Sequence, residues 1–495
     1  VTGAGGALGL GIDLGTTSVK VLLLDEVGST VASASHHHGI DPTSSGVQAD
    51  PERWWDSLRT ALAALAAEAD LARVAAVGLS GNMSAVVLVD DQVRPVAPAL
   101  LLADQRGTDE ITALDPPLRR DLAARTGNEP QAVFSLSSLL WWQARDLDVL
   151  RSAQHYLSAK DFLRARLTGE VATDPTDAYN SLLLRPGTWE WDEGTIQALG
   201  LPRRIFPPVL PSTALGGRTT RTAARETGIP AGVPVAVGAG DMAAALAGTA
   251  GLDAGDAAVS LGTSATVMAV LGAGARPDVG PRATGTVTYH PTADGSWFAL
   301  GSLLTGGLVV NWLRSTVGAD AIAQAPADPD ADDPLMFMPY LAGTGSPDFD
   351  SAATGTLLGV TPTTTPPRLV AAALEAVAFD VARLLDLLAD GPAGGYRRVV
   401  LSGGGSRIGA WPQIIADVTR LPVHVLDEPD LSAVGAAVLG WAAAGVYVAP
   451  PAAGTEIAPR AATAAAWDRR RARYERLRGQ ALALGRQTAS GPSRP

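Results

Sequence analysis

A Gly-Thr turn set between two strand-like runs occurs twice, as Ile12-Asp13-Leu14-Gly15-Thr16-Thr17-Ser18 and as Val259-Ser260-Leu261-Gly262-Thr263-Ser264. Gly15 and Gly262 tolerate backbone angles that other residues resist, so successive amide N–H groups can converge on one anionic oxygen. Thr16, Thr17, Thr263 and Ser264 add hydroxyl donors at the same places. Either copy alone reads equally well as an ordinary hairpin. Two copies half a chain apart, one with Asp13 just ahead of the glycine, suggest paired lobes that each offer a phosphate-binding turn to the cleft between them, the layout of an ATP-splitting clamp.

Asp241 is the lead candidate for a catalytic base. It follows the run Gly238-Ala239-Gly240 and precedes a helix start at Met242-Ala243-Ala244. A carboxylate there can accept a proton from a hydroxyl while the hydroxyl oxygen attacks phosphorus. An N-cap aspartate satisfying helix amides is the plainer alternative. Asp13 would face a triphosphate and hold Mg²⁺ through water. Lys20, on the returning strand, could neutralise phosphate charge, or stand as an exposed strand residue. The Gly403-Gly404-Gly405 run lets a base or ribose lie against bare backbone, although glycine runs also make plain turns.

Other chemistries are disfavoured by what the chain has and lacks. It has no cysteine, which removes thiol nucleophiles and Cys-ligated metal sites. Its lysines are Lys20 after Val19 and Lys160 after Ala159, so no Gly-Lys-Ser/Thr loop forms. No His-Arg-Asp or Asp-Phe-Gly occurs, which removes the protein-kinase set. The Gly238-x-Gly240-x-x-Ala243 spacing imitates a dinucleotide fingerprint, but Asp253 and Asp256 precede the next strand where an acidic residue should end it. His36-His37-His38 sit at a strand end, where neighbours point to opposite faces, so a solvated run is favoured over a metal site. No Gly-x-Ser-x-Gly supports a serine hydrolase.

The elements that must carry these groups follow from pattern. At 495 residues the chain exceeds one core, and 46% hydrophobic with 18% charged residues can fill two. Residues 8–35 read as an antiparallel meander. Asp50-Pro51 opens a helix with Trp54, Leu58, Leu62 and Leu65 at helical spacing. Residues 75–79, 85–89, 233–237, 257–261 and 397–401 read as strands. Residues 110–170 read as mostly helical, 203–235 as loops, and 272–282 and 317–334 as loop-like segments. A long helix is expected over 367–388, with Leu374, Val377, Val381, Leu384 and Leu388 on one face. Further helices are expected near Trp411 and Ser432, and a basic one over 467–484.

A net charge of −12 and pI near 5.0 disfavour nucleic acid or an anionic membrane as partner. No apolar run reaches a membrane-spanning length. Residues 1–6 lack the features of a signal peptide, so a cytoplasmic location is expected.

Taken in order, residues 12–20, 238–248, 260–264, 403–405 and 433–437 resemble the FGGY carbohydrate kinases. The likeness includes Asp50-Pro51-Glu52-Arg53-Trp54-Trp55, Lys160-Asp161-Phe162-Leu163 and Leu167-Thr168-Gly169-Glu170. Gly355-Thr356-Leu357-Leu358-Gly359-Val360 followed by residues 369–375 resembles the family's C-terminal signature, with Arg368 out of pattern. The resemblance implies an α/β fold of two ribonuclease-H-like, actin-like ATPase lobes, with mixed sheets flanked by helices and the site in the cleft. It implies that Asp241 is the base and that Asp13 serves the metal. Gly15, Thr16, Thr17, Thr263, Gly307, Asn311, Gly404 and Gly405 match nucleotide-binding positions, with Gly307 and Asn311 drawn from the comparison alone.

The sugar side departs from the members that act on xylulose. Asn82-Met83-Ser84-Ala85 replaces Gln-Met-His-Gly, and Leu102-Ala103-Asp104-Gln105-Arg106 replaces Trp-Asn-Asp-x-Arg. Met242 replaces an Asn beside the base, Thr344-Gly345 a Glu-Arg pair, and Ser138 a Lys. A site that hydrogen-bonds hydroxyls discriminates strongly among their patterns, so altered partners leave the substrate open.

The expectation is therefore an ATP- and Mg²⁺-dependent kinase acting on a hydroxyl of a ketopentose such as xylulose. Met83, Ser84, Asp104 and Asp241 would contact substrate. Asp13, Gly15, Thr16, Thr17, Lys20, Gly262, Thr263, Gly307, Asn311, Gly404 and Gly405 would hold the nucleotide and its metal. A hexonate, an alditol or a cyclitol is the alternative acceptor, and a non-catalytic sugar- or nucleotide-binding regulator the alternative of another class. The expected division is 7–238 for sugar and phosphate, 239–486 for nucleotide, and 487–495 as a flexible tail. A homodimer is left open.

Overall fold

A computed structural model describes residues 6–43, 46–272, 286–389 and 395–489. Two compact units result: 1–251 with 290–296 and 430–452, and 252–289 with 297–429 and 453–495.

The first unit is built on a mixed sheet. Thr30–His37, Ser18–Asp25 and Leu8–Leu14 form the antiparallel meander, and Val74–Gly81 and then Pro234–Ala236 continue it in parallel, with Leu215–Arg218 at the edge. Ala239–Gly240 pairs in parallel with the end of Val74–Gly81.

Side-chain alternation explains both faces of this sheet. Leu8, Leu10, Ile12 and Leu14 join Val19, Val21 and Leu23 in a core with Trp54, Leu58, Leu62 and Leu65 of the helix Pro51–Ala66. Burying each such large side chain contributes about 1.5–3 kcal/mol. That helix starts where Asp50 accepts from the Glu52 amide at 3.0 Å. On the opposite face, Leu22, Leu24 and Ala76 meet Ala433, Val434, Ala437 and Trp441 of the helix Leu431–Ala443. This helix lies against the backbone of the sheet, because a Cβ at Gly11 would strike the Ala433 carbonyl and one at Gly78 the Ala436 carbonyl.

The second unit repeats the plan. Its sheet carries Trp297–Leu303, Ala265–Leu271, Asp256–Leu261, Arg398–Ser402, Val423–Leu426 and Gly454–Ile457 in that order. Neighbours among the first three are antiparallel, and Asp256–Leu261, Arg398–Ser402 and Val423–Leu426 are parallel. The helix Pro366–Leu388 is buried along most of its length, as its apolar stripe requires. The mixed sheets with flanking helices are those expected.

Several expectations need correction. The boundary expected at 238/239 falls instead after 251, and residues 430–452 return to the first unit. The cause is packing: the helix Asp241–Ala247 meets the helix Leu431–Ala443 so closely that a Cβ at Gly435 would strike the Ala244 carbonyl. Residues 203–235 contain the strand Leu215–Arg218 and the helix Arg221–Thr227, and 317–334 contain the helix Ala319–Ala323. The helical stretch 110–170 is interrupted by the strand His155–Leu157. The tail expected from 487 begins inside the helix Ala464–Ala489, and 490–495 lie outside the described residues. Most of the loop expected over 272–282 also lies outside them. Among the described residues, no helix is long and apolar enough to cross a membrane.

Candidate active site

Three strands of the first unit end together. Asp13 lies opposite Ser80, and Gly81 opposite Gly240, so Asp13, Ser80 and Asp241 sit at the carboxyl ends of parallel neighbours. Ligand sites of open α/β sheets form at such ends. Asp13 shares the strand face of Gly9 and Gly11, the face covered by the helix Leu431–Ala443. Its Oδ2 accepts a 2.7 Å hydrogen bond from Ser432 Oγ, while Oδ1 is buried with no hydrogen-bond partner. Burial pushes the Asp13 carboxyl up, and the Ser432 hydroxyl opposes that shift.

Asp241 opens the helix Asp241–Ala247 and is half-buried, and its Oδ1 accepts from the Met242 amide at 2.8 Å. The plainer reading of Asp241 as a helix-end carboxylate thus describes one of its oxygens. Burial of the carboxylate, reinforced by the charge of Asp13, pushes its pKa up to about 8. A carboxyl so placed can hold or release a proton near neutral pH, which is what a general base requires.

Met83 is buried beside Gly240: a Cβ there would lie 3.0 Å from Met83 Cγ. Ser84 is buried with φ 63°, a left-handed conformation that a serine adopts at some cost. Asn82 is structural, since its amide and Nδ2 both donate to the Leu14 carbonyl, at 2.8 and 3.1 Å.

Two expected site residues stand differently from their sequence reading. Asp104 commits both oxygens: Arg106 grips them through Nε and Nη2, and the Val47 amide donates to Oδ2 at 2.9 Å. The Asp104 side chain is buried in this pair. Arg106, missed as its partner, also stacks 4.6 Å from the Trp141 ring centre. Lys20 lies directly across the hairpin from Asp13, but its ammonium pairs with Asp430.

Sequence reasoning also missed a buried charge cluster. Lys160 Nζ lies 2.8 Å from Asp161, 3.0 Å from Asp174 and 3.2 Å from Asp177, with Arg164 3.7 Å from Asp161. Burial alone would strip the Lys160 proton, but the three carboxylates raise its pKa and keep it charged. Two cations face three carboxylates, and burial with the charges of Asp174 and Asp161 pushes Asp177 up to about 7. Asp174-Pro175, an N-cap followed by a helix-opening proline, was the signal that could have located this cluster. Ser432 left no comparable signal.

In the second unit the Gly262-Thr263 turn is exposed and seats a helix start. The amides of Gly306 and Leu308 donate to the Thr263 carbonyl at 3.0 Å each, and that of Gly307 to Gly262 at 2.6 Å. This brings Gly262, Thr263 and Gly307 together, with exposed Asn311 one turn along Gly307–Val317. Gly405 packs on the strand entering the turn, 2.7 Å from Leu261 Cβ were it to carry a Cβ, and Gly404 faces open space. In the first unit Gly15 closes the matching turn by donating to the Ser18 carbonyl at 2.9 Å, leaving Thr16 and Thr17 exposed.

Among the described residues no group of three or more His, Asp or Glu could ligate a metal. The unpartnered Oδ1 of Asp13 does fit a hydrated cation, whose remaining contacts would come from phosphate oxygens and water.

The profile of the FGGY family of carbohydrate kinases, N-terminal domain, matches residues 8–248, and that of its C-terminal domain residues 257–444. The chain is 32% identical over 444 residues to a xylulose kinase of Escherichia coli K12, covering 88% of this chain and 90% of that protein. It is 33% identical over 442 residues to a xylulose kinase of Streptomyces coelicolor, covering 88% of each. The crystal structure of a xyloylose kinase from Brucella ovis superposes with a TM-score of 0.85 at 30% identity, covering 96% of this chain and all of that one.

Proposed function

This chain belongs to the FGGY family of carbohydrate kinases, an ATP-dependent sugar kinase, and we propose that the sugar it phosphorylates is a ketopentose such as xylulose. The observation that carries the mechanism is Asp241, a carboxyl poised to about 8 at the strand ends it shares with Asp13. Asp241 takes the proton of the attacking hydroxyl as its oxygen bonds to the γ-phosphorus. Met83 and Ser84 line the approach to it. The Gly15 turn with Thr16 and Thr17, and the Gly262 turn with Thr263, Gly307, Asn311, Gly404 and Gly405, supply amides and hydroxyls to the nucleotide. Lys20 contributes charge beside Asp13.

Asp13 would hold Mg²⁺ through water. Such an ion, when bound, offsets the negative charge of the phosphates. We place the reaction in the cytoplasm, with the sugar and ATP as its small-molecule partners and a homodimer left open.

The relatives' names support xylulose. The replaced polar groups at Ser84 and Met242 favour, as a second reading, a hexonate or an alditol whose hydroxyls ask for different partners. A panel of ketopentoses, hexonates and alditols, followed by ADP release, separates the two. Highest kcat/KM on xylulose is expected; a hexonate or alditol exceeding it tenfold replaces the first reading with the second. ADP release from none of them would leave the regulator.

A further inference from the structure

The segment entering Asp241 is held at both ends by one buried carboxylate. Asp174 Oδ2 accepts from Thr176 Oγ1 and from Ser212 Oγ, each at 2.7 Å, and from the Thr176 amide at 3.0 Å. Its Oδ1 lies 3.0 Å from Lys160 Nζ. The Gly238 amide donates to the Ser212 carbonyl at 3.0 Å, and the Gly240 amide to Thr176 Oγ1 at 2.8 Å. Asp174, Thr176, Ser212 and Gly240 are all buried.

A hydroxyl has one proton and a choice of directions for its lone pairs. Asp174 removes that choice at Thr176: its Oδ2 accepts the hydroxyl's hydrogen bond, so a lone pair faces the Gly240 N–H. Gly238, in the left-handed region at φ 85° and with no room for a Cβ beside the Leu79 carbonyl, leaves this segment flexible unless something outside it sets its path. The amide that Thr176 receives belongs to the residue immediately before the base.

We propose that Thr176 is a positioning residue for phosphoryl transfer: oriented by Asp174, its hydroxyl fixes the Gly240 amide and through it the direction of the Asp241 carboxylate. The inference rests on the reading of Asp241 as the base. Thr176→Val keeps the side-chain shape and removes both the acceptor and the donor. A misplaced base slows the chemical step more than it weakens binding, so kcat should fall about tenfold to hundredfold with KM for sugar and ATP within about twofold. Thr176→Ser, which keeps the hydroxyl, should restore most of the loss. Thr176→Cys, whose thiol is a weak acceptor, should also lose kcat and serves if the valine variant does not fold.

A merely structural role would lower the melting temperature of Thr176→Val while leaving kcat of the folded fraction unchanged. Steady-state kinetics of the three variants with circular dichroism of each preparation therefore decide the matter. A kcat within twofold of the parent for a folded valine or cysteine variant, or a serine variant no better than valine, overturns the proposal. Asp241→Asn in the same series separates the premises. If it is inactive and the Thr176 variants are normal, this inference alone fails; if it retains full activity, the base assignment fails and the inference with it.

Discussion

The two Gly-Thr hairpins share a backbone plan and differ in the side chains set on it. Leu8–Leu14 runs antiparallel to Ser18–Asp25 and parallel to Val74–Gly81; Asp256–Leu261 runs antiparallel to Ala265–Leu271 and parallel to Arg398–Ser402. Ahead of the final leucine, the first has Asp13 and the second Ser260. The first strand also alternates Gly9 and Gly11 with its apolar residues, which lets the helix Leu431–Ala443 deliver Ser432 to Asp13. The second has Asp256 and Ala258 at the corresponding places. The backbone frame for an anion is thus duplicated, whereas the carboxylate is not. On the proposed reading, both turns contribute to binding, and the metal and the proton fall to Asp13 and Asp241 of the first unit.

The widest gap between the units should appear at Asp241. Asp241→Asn is expected to lower kcat about 10²–10⁴-fold, measured by ADP release, with ATP binding retained. If the loss were under tenfold, the asymmetry would not lie in general-base chemistry.

Asp13→Asn comes next, since it removes the charge that the second turn never had. The Mg²⁺ concentration for half-maximal rate should rise about tenfold or more. Its counterpart Gly307→Ala tests the second frame. The added Cβ would sit 2.7 Å from the Gly262 carbonyl and displace the turn. At about 1–3 kcal/mol for such overpacking, KM for ATP should rise at least fivefold with KM for sugar little changed. An equal rise in both constants would deny the division of labour.

A pH test sharpens the first-unit side. With its pKa raised to about 8 against an ordinary 3.8, folded Asp241 keeps a proton that the unfolded chain loses between those values. Stability from this group therefore declines as pH rises through that interval. The asparagine variant should gain on the parent in melting temperature from pH 5 to pH 9, by about 2–4 °C for each kcal/mol relieved. Over the same range kcat/KM of the parent should climb as Asp241 ionises. The smallest effect is expected at Ser260→Ala, with activity within about twofold; a large loss there would make the two hairpins chemically alike.

Much of this was legible in the residues. The turns, the helix opened by Asp50-Pro51, the stripe of the helix Pro366–Leu388 and the strand leading into Gly403 follow from local pattern, which depends on neighbours within a few positions. Asp13 and Asp241 were recognisable because each stands beside a glycine turn at a strand end. The pairing of Asp104 with Arg106 was not legible, because a carboxylate in a polar loop reads the same whether or not it meets an arginine two residues on.

What the sequence by itself determined is the set of frames: two meanders, two Gly-Thr turns and an aspartate at each of two strand ends, all written in short-range alternation and turn chemistry. Tertiary structure decided which groups tune them. Ser432 reaches Asp13 across 419 positions, Lys20 meets Asp430 across 410, and Thr176 holds Gly240 across 64. The physical reason is that a hydrogen bond or a desolvated charge depends on distance in space, which residue order does not encode until helix and sheet have packed. Burial then turns the same carboxyl chemistry into a structural ion pair at Asp161 and a group poised near neutral pH at Asp241.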